Sequence, residues 1–147
     1  ELYGLETVPL RYFNVYGPRQ TGGDYAGVIT IFLEQAQAGE PLTVHGDGTQ
    51  TRDFVYVDDI VQANLRAGVT DAVCEALNIG TGECVSIREL AETVQSLAGR
   101  SVEIVHQDAR EGDISESEAD IGRAQELLGY QPTRDLQEGL ATLFVGK

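Results

Sequence analysis

Arg52-Asp53-Phe54-Val55-Tyr56-Val57-Asp58-Asp59 is the stretch of this chain best equipped for chemistry. It follows a glycine-rich turn, His45-Gly46-Asp47-Gly48, and leads into a helix-like run from Ile60. An arginine held between a turn and a strand suits the grip of an anion. Its charge is permanent, and its planar fork of donors matches a phosphate. The plainer use of Arg52 is a salt bridge to Asp53 or Asp58. Other groups with chemical potential are more scattered. Asn14 closes a short β-rich run, His45 sits on the strand before the turn, and Arg110 opens Arg110-Glu111-Gly112-Asp113.

These residues need a scaffold, and the pattern supplies alternating elements. Val8–Phe13 is β-rich and stops at Asn14 and Gly17-Pro18. Gly27 to Gly39 carries Val28, Ile31, Phe32, Gln35 and Ala36 at helical spacing, closed by Gly39. Leu42–His45 and Phe54–Val57 read as strands around the Gly46–Gly48 turn. A helix follows from Ile60 to Gly68, with Asp58 or Asp59 as its N-cap. Ala76–Ile79 is a short buried strand ending at Gly80-Thr81-Gly82. Ser86-Ile87-Arg88-Glu89 fits a capping box, and Leu90, Val94 and Leu97 then share one helical face. Val102–Val105 is a further strand, Asp120 caps a helix through Leu128, and Leu136–Val145 is the last helix. Strands fed singly between helices give an α/β fold.

Composition narrows the function. The 147 residues support one domain, and 41% hydrophobic content is enough for a core. No apolar run reaches transmembrane length and no secretory leader pattern opens the sequence, so the expected location is cytoplasmic. The net charge of −14 argues against nucleic acid, which needs a basic footprint. Lysine occurs once, at Lys147, against nine arginines. That balance fits either a salt-adapted protein or an ordinary acidic surface. Cys74 and Cys84 have neither the spacing nor the partners of a metal site, and two reduced thiols are expected.

Five segments occur in an order that resembles a known family. They are Leu10–Gln20 (LRYFNVYGPRQ), Gly46-Asp47-Gly48 with Arg52-Asp53-Phe54-Val55, Leu77-Asn78-Ile79-Gly80, Arg110-Glu111-Gly112-Asp113, and Leu127-Leu128-Gly129-Tyr130-Gln131-Pro132. Together they resemble the C-terminal half of extended short-chain dehydrogenase/reductases, the NAD-dependent epimerase/dehydratase family. Within it they are most similar to UDP-glucose 4-epimerases. The resemblance implies the last strands of a Rossmann-like sheet plus a small substrate-binding lobe, with residues 1–147 forming the substrate-binding region. It further implies that the NAD-binding Rossmann region lies outside this chain. The family's Tyr-x-x-x-Lys pair is not in this sequence, whose one lysine is its last residue. Gly80-x-Gly82 lacks the third glycine of a dinucleotide fingerprint and reads as a strand-to-helix turn. No catalytic, cofactor-binding or metal residue is therefore assigned.

The resemblance does assign substrate-binding positions. Arg52 and Arg110 stand where the family grips a pyrophosphate. Each charge-assisted bond there is worth about 1.5–3 kcal/mol. The family pattern is Arg-Pro-Gly-Asp, so Glu111 is a departure that puts a carboxylate beside the anion loop. Asn14 corresponds to an amide that meets the pyrophosphate or sugar, or else it is a turn asparagine bonded to its own backbone. Thr43 and His45 flank the strand that lies along uracil in relatives. Asp113 matches an acid that bonds ribose hydroxyls. Val28 begins the helix that approaches the nucleotide, or is simply a core residue.

The implied parent is a NAD-dependent sugar 4-epimerase acting on a UDP-sugar. It would oxidise the C4 hydroxyl and return hydride to the other face. A nucleotide-sugar 4,6-dehydratase, a related reductase, or a binding-only fragment are the alternatives. The isolated chain is expected to be inactive, to need the missing NAD-binding domain as partner, and to self-associate through strands that would otherwise meet that domain.

Overall fold

The computed structural model describes residues 4–23, 26–72, 74–99 and 101–145. Thirteen elements alternate along it. The first two are β1 (Leu10–Tyr12) and β2 (Asn14–Tyr16), and they are one strand that changes partner. β1 runs parallel to β6 (Leu77–Ile79), and β2 runs parallel to β5 (Phe54–Tyr56). The switch occurs between Phe13, whose N–H donates to Ile79 O, and Asn14, whose N–H donates to Asp53 O, both at 3.0 Å. The parallel pairing of Leu10–Phe13 with Leu77–Ile79 is the pairing expected of a Rossmann-like sheet. Asn14 does not stop the strand, because a second partner takes over the ladder there.

β3 (Leu42–His45) pairs in parallel with β8 (Ile104–Gln107), and β4 (Thr51–Arg52) pairs antiparallel with β7 (Val85–Ser86). So β3 and β5 flank the same turn in sequence but belong to different ladders. β8 also begins two residues later than its apolar run, since Val102 is buried ahead of the ladder.

The helices fall close to their sequence signals. α1 (Val28–Ala38) ends at Gly39, whose φ of 75° closes it in the left-handed region. α3 (Ile87–Leu97) starts with a complete capping box: Glu89 N–H donates to Ser86 Oγ at 3.1 Å, and Ser86 N–H donates to Glu89 Oε2 at 3.0 Å. α5 spans Leu136–Val145 as expected. α2 (Val57–Ala67) starts three residues early, capped by Tyr56 rather than by either aspartate. Asp59 instead lies buried inside the first turn, where its Oδ1 accepts from Thr133 N–H at 3.0 Å and Thr133 Oγ1 at 2.7 Å. A bond to a residue so far along the chain has no local signature. α4 (Gly122–Leu128) is led by Asp120, whose Oδ1 accepts from Gly122 N–H at 3.0 Å, while Ile121 is the capping position.

Two apolar clusters hold the elements. Tyr16, Phe32, Leu42, Val44, Leu90, Val94 and Leu140 pack α1, α3 and α5 over β3. Val55, Ile60, Leu77, Ile79, Leu128 and Tyr130 pack α2 and α4 against β5 and β6. Each fully buried aliphatic side chain contributes about 1.5–3 kcal/mol. The partner-switching β1–β2 strand runs between the two clusters and so fixes Asn14 at their junction. Among the described residues, no helix is long and apolar enough to cross a membrane.

Candidate functional site

A cleft of about 450 Å³ opens beside β3, with Val28, Ile31 and Phe32 of α1 as one wall. Asn14, Val28, Thr43, His45, Arg52, Arg110 and Asp113 all line it. The structure thus brings together every residue singled out for substrate contact.

Arg52 is held from three sides. Its Nη1 donates to Thr51 O at 2.7 Å and Ile114 O at 2.6 Å. Its Nη2 donates to Asp113 Oδ1 in a salt bridge. The partner is therefore Asp113, neither Asp53 nor Asp58; Asp58 lies 3.7 Å from Arg134 instead. A guanidinium has five N–H donors, so Arg52 keeps two for a ligand. Arg110 Nη2 donates to His45 Nε2 at 3.0 Å, and His45 Nδ1 stands 3.3 Å from Asp108 O. An Nε2 that accepts while Nδ1 faces a carbonyl is the neutral Nδ1–H tautomer. His45 here orients Arg110. Arg110 retains four further N–H donors.

Asn14 Nδ2 donates to Asp53 O at 3.0 Å, which leaves its second N–H and its Oδ1 for the cleft. Val28 is the first residue of α1, whose N-cap Gly27 makes no side-chain cap and whose first turn has no acid. That end carries the positive pole of the helix toward the cleft's Val28 wall. Two arginines against one aspartate leave the charged lining net positive, as an anion requires.

Three residues outside the sequence expectations complete the frame. Gln35 faces Thr43 across α1 and β3, donating to Thr43 Oγ1 and accepting from Thr43 N–H, both at 3.1 Å. Gln50 Nε2 donates to His45 O at 2.8 Å and approaches Asp113 Oδ2 at 3.5 Å. Gln35 sat in the apolar phase of its helix, and a polar residue there was the available signal. The third is Asp53, fully buried beside Arg52. Its carboxylate accepts from Thr81 N–H and Thr81 Oγ1 at 2.8 Å, from Gly82 N–H at 3.0 Å and from Ala119 N–H at 3.2 Å. The Gly80–Gly82 turn is thus an anion cradle already filled by the chain's own carboxylate. Gly80 is required there, since a Cβ would stand 2.6 Å from Asp53 Oδ2 and 2.5 Å from Ala119 Cβ.

Comparison with known proteins follows the same lines. Residues 1–80 match the NAD dependent epimerase/dehydratase family. The chain is 42% identical over 140 residues to a UDP-glucose 4-epimerase of Mycolicibacterium smegmatis, covering 95% of this chain and 45% of that protein. It is 41% identical over 138 residues to UDP-glucuronic acid decarboxylase 5 of Arabidopsis thaliana, covering 94% of this chain and 40% of that protein. Its structure superposes on the UDP-glucose 4-epimerase of Thermotoga maritima, solved with UDP-glucose, with a TM-score of 0.92 and 41% identity over 97% of this chain and 47% of that one. The chain therefore spans under half the length of the relatives it matches. With more than half of its residues matched and its α/β architecture shared, this chain belongs to the NAD dependent epimerase/dehydratase family.

Proposed function

We propose that this chain is the UDP-sugar-binding part of a NAD-dependent sugar 4-epimerase. The observation that carries the reading is the placement of Arg52, Arg110 and Asn14 on the lining of one cleft. The pyrophosphate of a nucleotide sugar bears two negative charges. Arg52 and Arg110 meet it with donors already oriented by Asp113, Ile114 O and His45. Little side-chain ordering is left to be done on binding, which favours affinity. The relatives act on UDP-sugars by different reactions, so the shared element is the nucleotide sugar. The epimerase reading follows the Mycolicibacterium and Thermotoga proteins.

The motifs that mark NAD binding and its chemistry are not in this sequence. The sequence contains no three-glycine dinucleotide turn and no Tyr-x-x-x-Lys pair. The Gly80-Thr81-Gly82 turn spends its Thr81 and Gly82 N–H groups on Asp53. No chemical step is placed on this chain, and we assign it binding and orientation of the sugar nucleotide, without turnover on its own.

Calorimetric titration of the chain with UDP and UDP-glucose tests the reading. Both should bind, and Arg52→Gln should weaken each by roughly 10- to 100-fold, the loss of one charge-assisted contact. A wild-type chain that takes up neither ligand would sink the proposal.

A further inference from the structure

Helix α1 walls a second cavity. Val28, Ile31, Phe32 and Gln35 face the cleft already described. Thr30, Leu33 and Glu34 share a different face of the helix and line another cavity, of about 200 Å³. Its far side is the loop after β2, from Gly17 to Gln20, together with the end of α5 at Thr142 and Leu143. Gly17 pins that loop to α2, since a Cβ there would stand 2.5 Å from Val57 Cγ1. Two residues on, Arg19 takes a left-handed φ of 69°, a conformation unfavourable for any residue with a Cβ, and it lines the cavity. Glu34 comes from α1. Its carboxylate lies against the bare Cα of Gly22, where a Cβ would stand 2.4 Å from Oε1.

Three polar groups of this cavity lack partners. Arg19 and Glu34 line it together, yet no ion pair joins them, and neither side chain has a hydrogen bond among the described residues. Thr30 is 6% exposed, and its hydroxyl also makes no hydrogen bond among them. Other helical threonines behave differently: Thr93 Oγ1 donates to Glu89 O at 2.8 Å, and Thr142 Oγ1 donates to Gly139 O at 2.7 Å. A buried hydroxyl left without a bond is costly, and a bound ligand would satisfy it. We propose that this cavity binds a small zwitterion of the α-amino acid class. Its cation and its carboxylate cancel, so neither a bare anion nor a bare cation is matched. A ligand carrying both charges answers each with a charge-assisted bond, its carboxylate on Arg19 and its ammonium on Glu34. Thr30 can donate to the first group or accept from the second. Pro18, Leu33 and Leu143 form an apolar wall for a short aliphatic side chain. Engineered cavities of about 150 Å³ hold benzene, so about 200 Å³ suits a molecule of roughly eight non-hydrogen atoms, the size of valine. The two sites share no lining residue, so this inference stands apart from the nucleotide-sugar reading.

The probe is L-valine, titrated into the whole chain and followed by backbone amide chemical shifts. 3-Methylbutanoate is the same skeleton without the ammonium, and 2-methylpropylamine is the same skeleton without the carboxylate. Each should bind roughly tenfold more weakly than valine, a readout that needs no variant to fold. Arg19→Gln and Glu34→Gln should each weaken valine binding roughly tenfold, and Thr30→Val should weaken it about threefold. The amides of Arg19, Thr30 and Glu34 should shift more than those of Thr43 and His45, which lie on the other cleft. Equal affinity for valine and either half-analogue would overturn the proposal. So would valine affinity unchanged in both charge variants, or shifts centred on Thr43 and His45. A chain with no saturable valine binding would overturn it as well. A chain that takes up valine but not UDP would sink the nucleotide reading and leave this one standing.

Discussion

Asp53→Asn asks whether the site hangs on one buried carboxylate. Asp53 joins β4 to β5, immediately after Arg52, and its side chain reaches the turn after β6 and the backbone of Ala119. Its backbone carbonyl meanwhile receives Asn14 N–H and Nδ2. One residue therefore ties Arg52, Asn14 and the end of β6 together. Asparagine is nearly the same shape but carries one acceptor and one donor where the carboxylate has two acceptors. Its best fit puts the amide oxygen toward Gly82 and Ala119 and the NH₂ toward Thr81. Thr81 Oγ1 can accept that hydrogen, whereas Thr81 N–H loses its better partner.

The cost is one weakened donor, Thr81 N–H, which keeps only its 3.0 Å partner and now faces the new NH₂, about 1–2 kcal/mol, plus the loss of charge assistance in the remaining bonds, about 1 kcal/mol each. Against this stands the desolvation of a buried carboxylate, several kcal/mol that a neutral amide escapes. The net expectation is a loss of roughly 2–4 kcal/mol from a domain whose whole stability is of order 5–15 kcal/mol. Urea unfolding followed by circular dichroism measures it as a lower midpoint at unchanged slope. Gly80→Ala presses on the same carboxylate, and the double variant should lose less than the sum of the two singles, because the residues touch. A loss below about 1 kcal/mol for Asp53→Asn would refute the reasoning, since the cradle would then be as content with an amide as with an anion.

Three further outcomes are expected. Gly139 lies inside α5, where alanine should gain about 1 kcal/mol from helix propensity. A Cβ there would stand 2.0 Å from the Tyr16 hydroxyl oxygen, so Gly139→Ala should instead lower the melting temperature, by overpacking of about 1–3 kcal/mol. Burial raises the Tyr16 and Tyr130 hydroxyls above their ordinary 10.0. The unfolded chain then releases these protons first, so their contribution is intact below that pH and is lost as pH rises through and beyond it. Ultraviolet difference spectra should show these two phenols ionising only together with unfolding. Among the described residues β1 pairs only with β6, and Tyr12 on it is bonded to Asn64 of α2, which also exposes Val61 and Leu65. Sedimentation of the chain at micromolar concentration should show a dimer or larger species, reduced by Leu65→Lys, and a strict monomer would count against self-association through this face.

What the sequence disclosed and what it withheld divide along one physical line. The capping box at Ser86 and Glu89, the glycine after α1 and the boundaries of α5 are local: each is decided within one helical turn of the residues that signal it. The arginine and asparagine positions were legible for a related reason, because motif segments carry their neighbours with them into the same cleft. What stayed hidden depends on groups far away in the chain. Asp59 looks like an N-cap until Thr133 arrives to bond it. Gln35 looks like one more residue on a helix face until β3 presents Thr43 N–H. Asp53 looks like a counter-ion for Arg52 until three backbone N–H groups surround it. In each case a short polar side chain is the cheapest way to satisfy a backbone group that the fold leaves unpaired, and such groups exist only once the strands are in place. The residues proposed to contact the ligand can thus be read from the chain. The residues that aim them are a product of the fold, and the register of β3 against Gln35 and Gln50 belongs to this second kind.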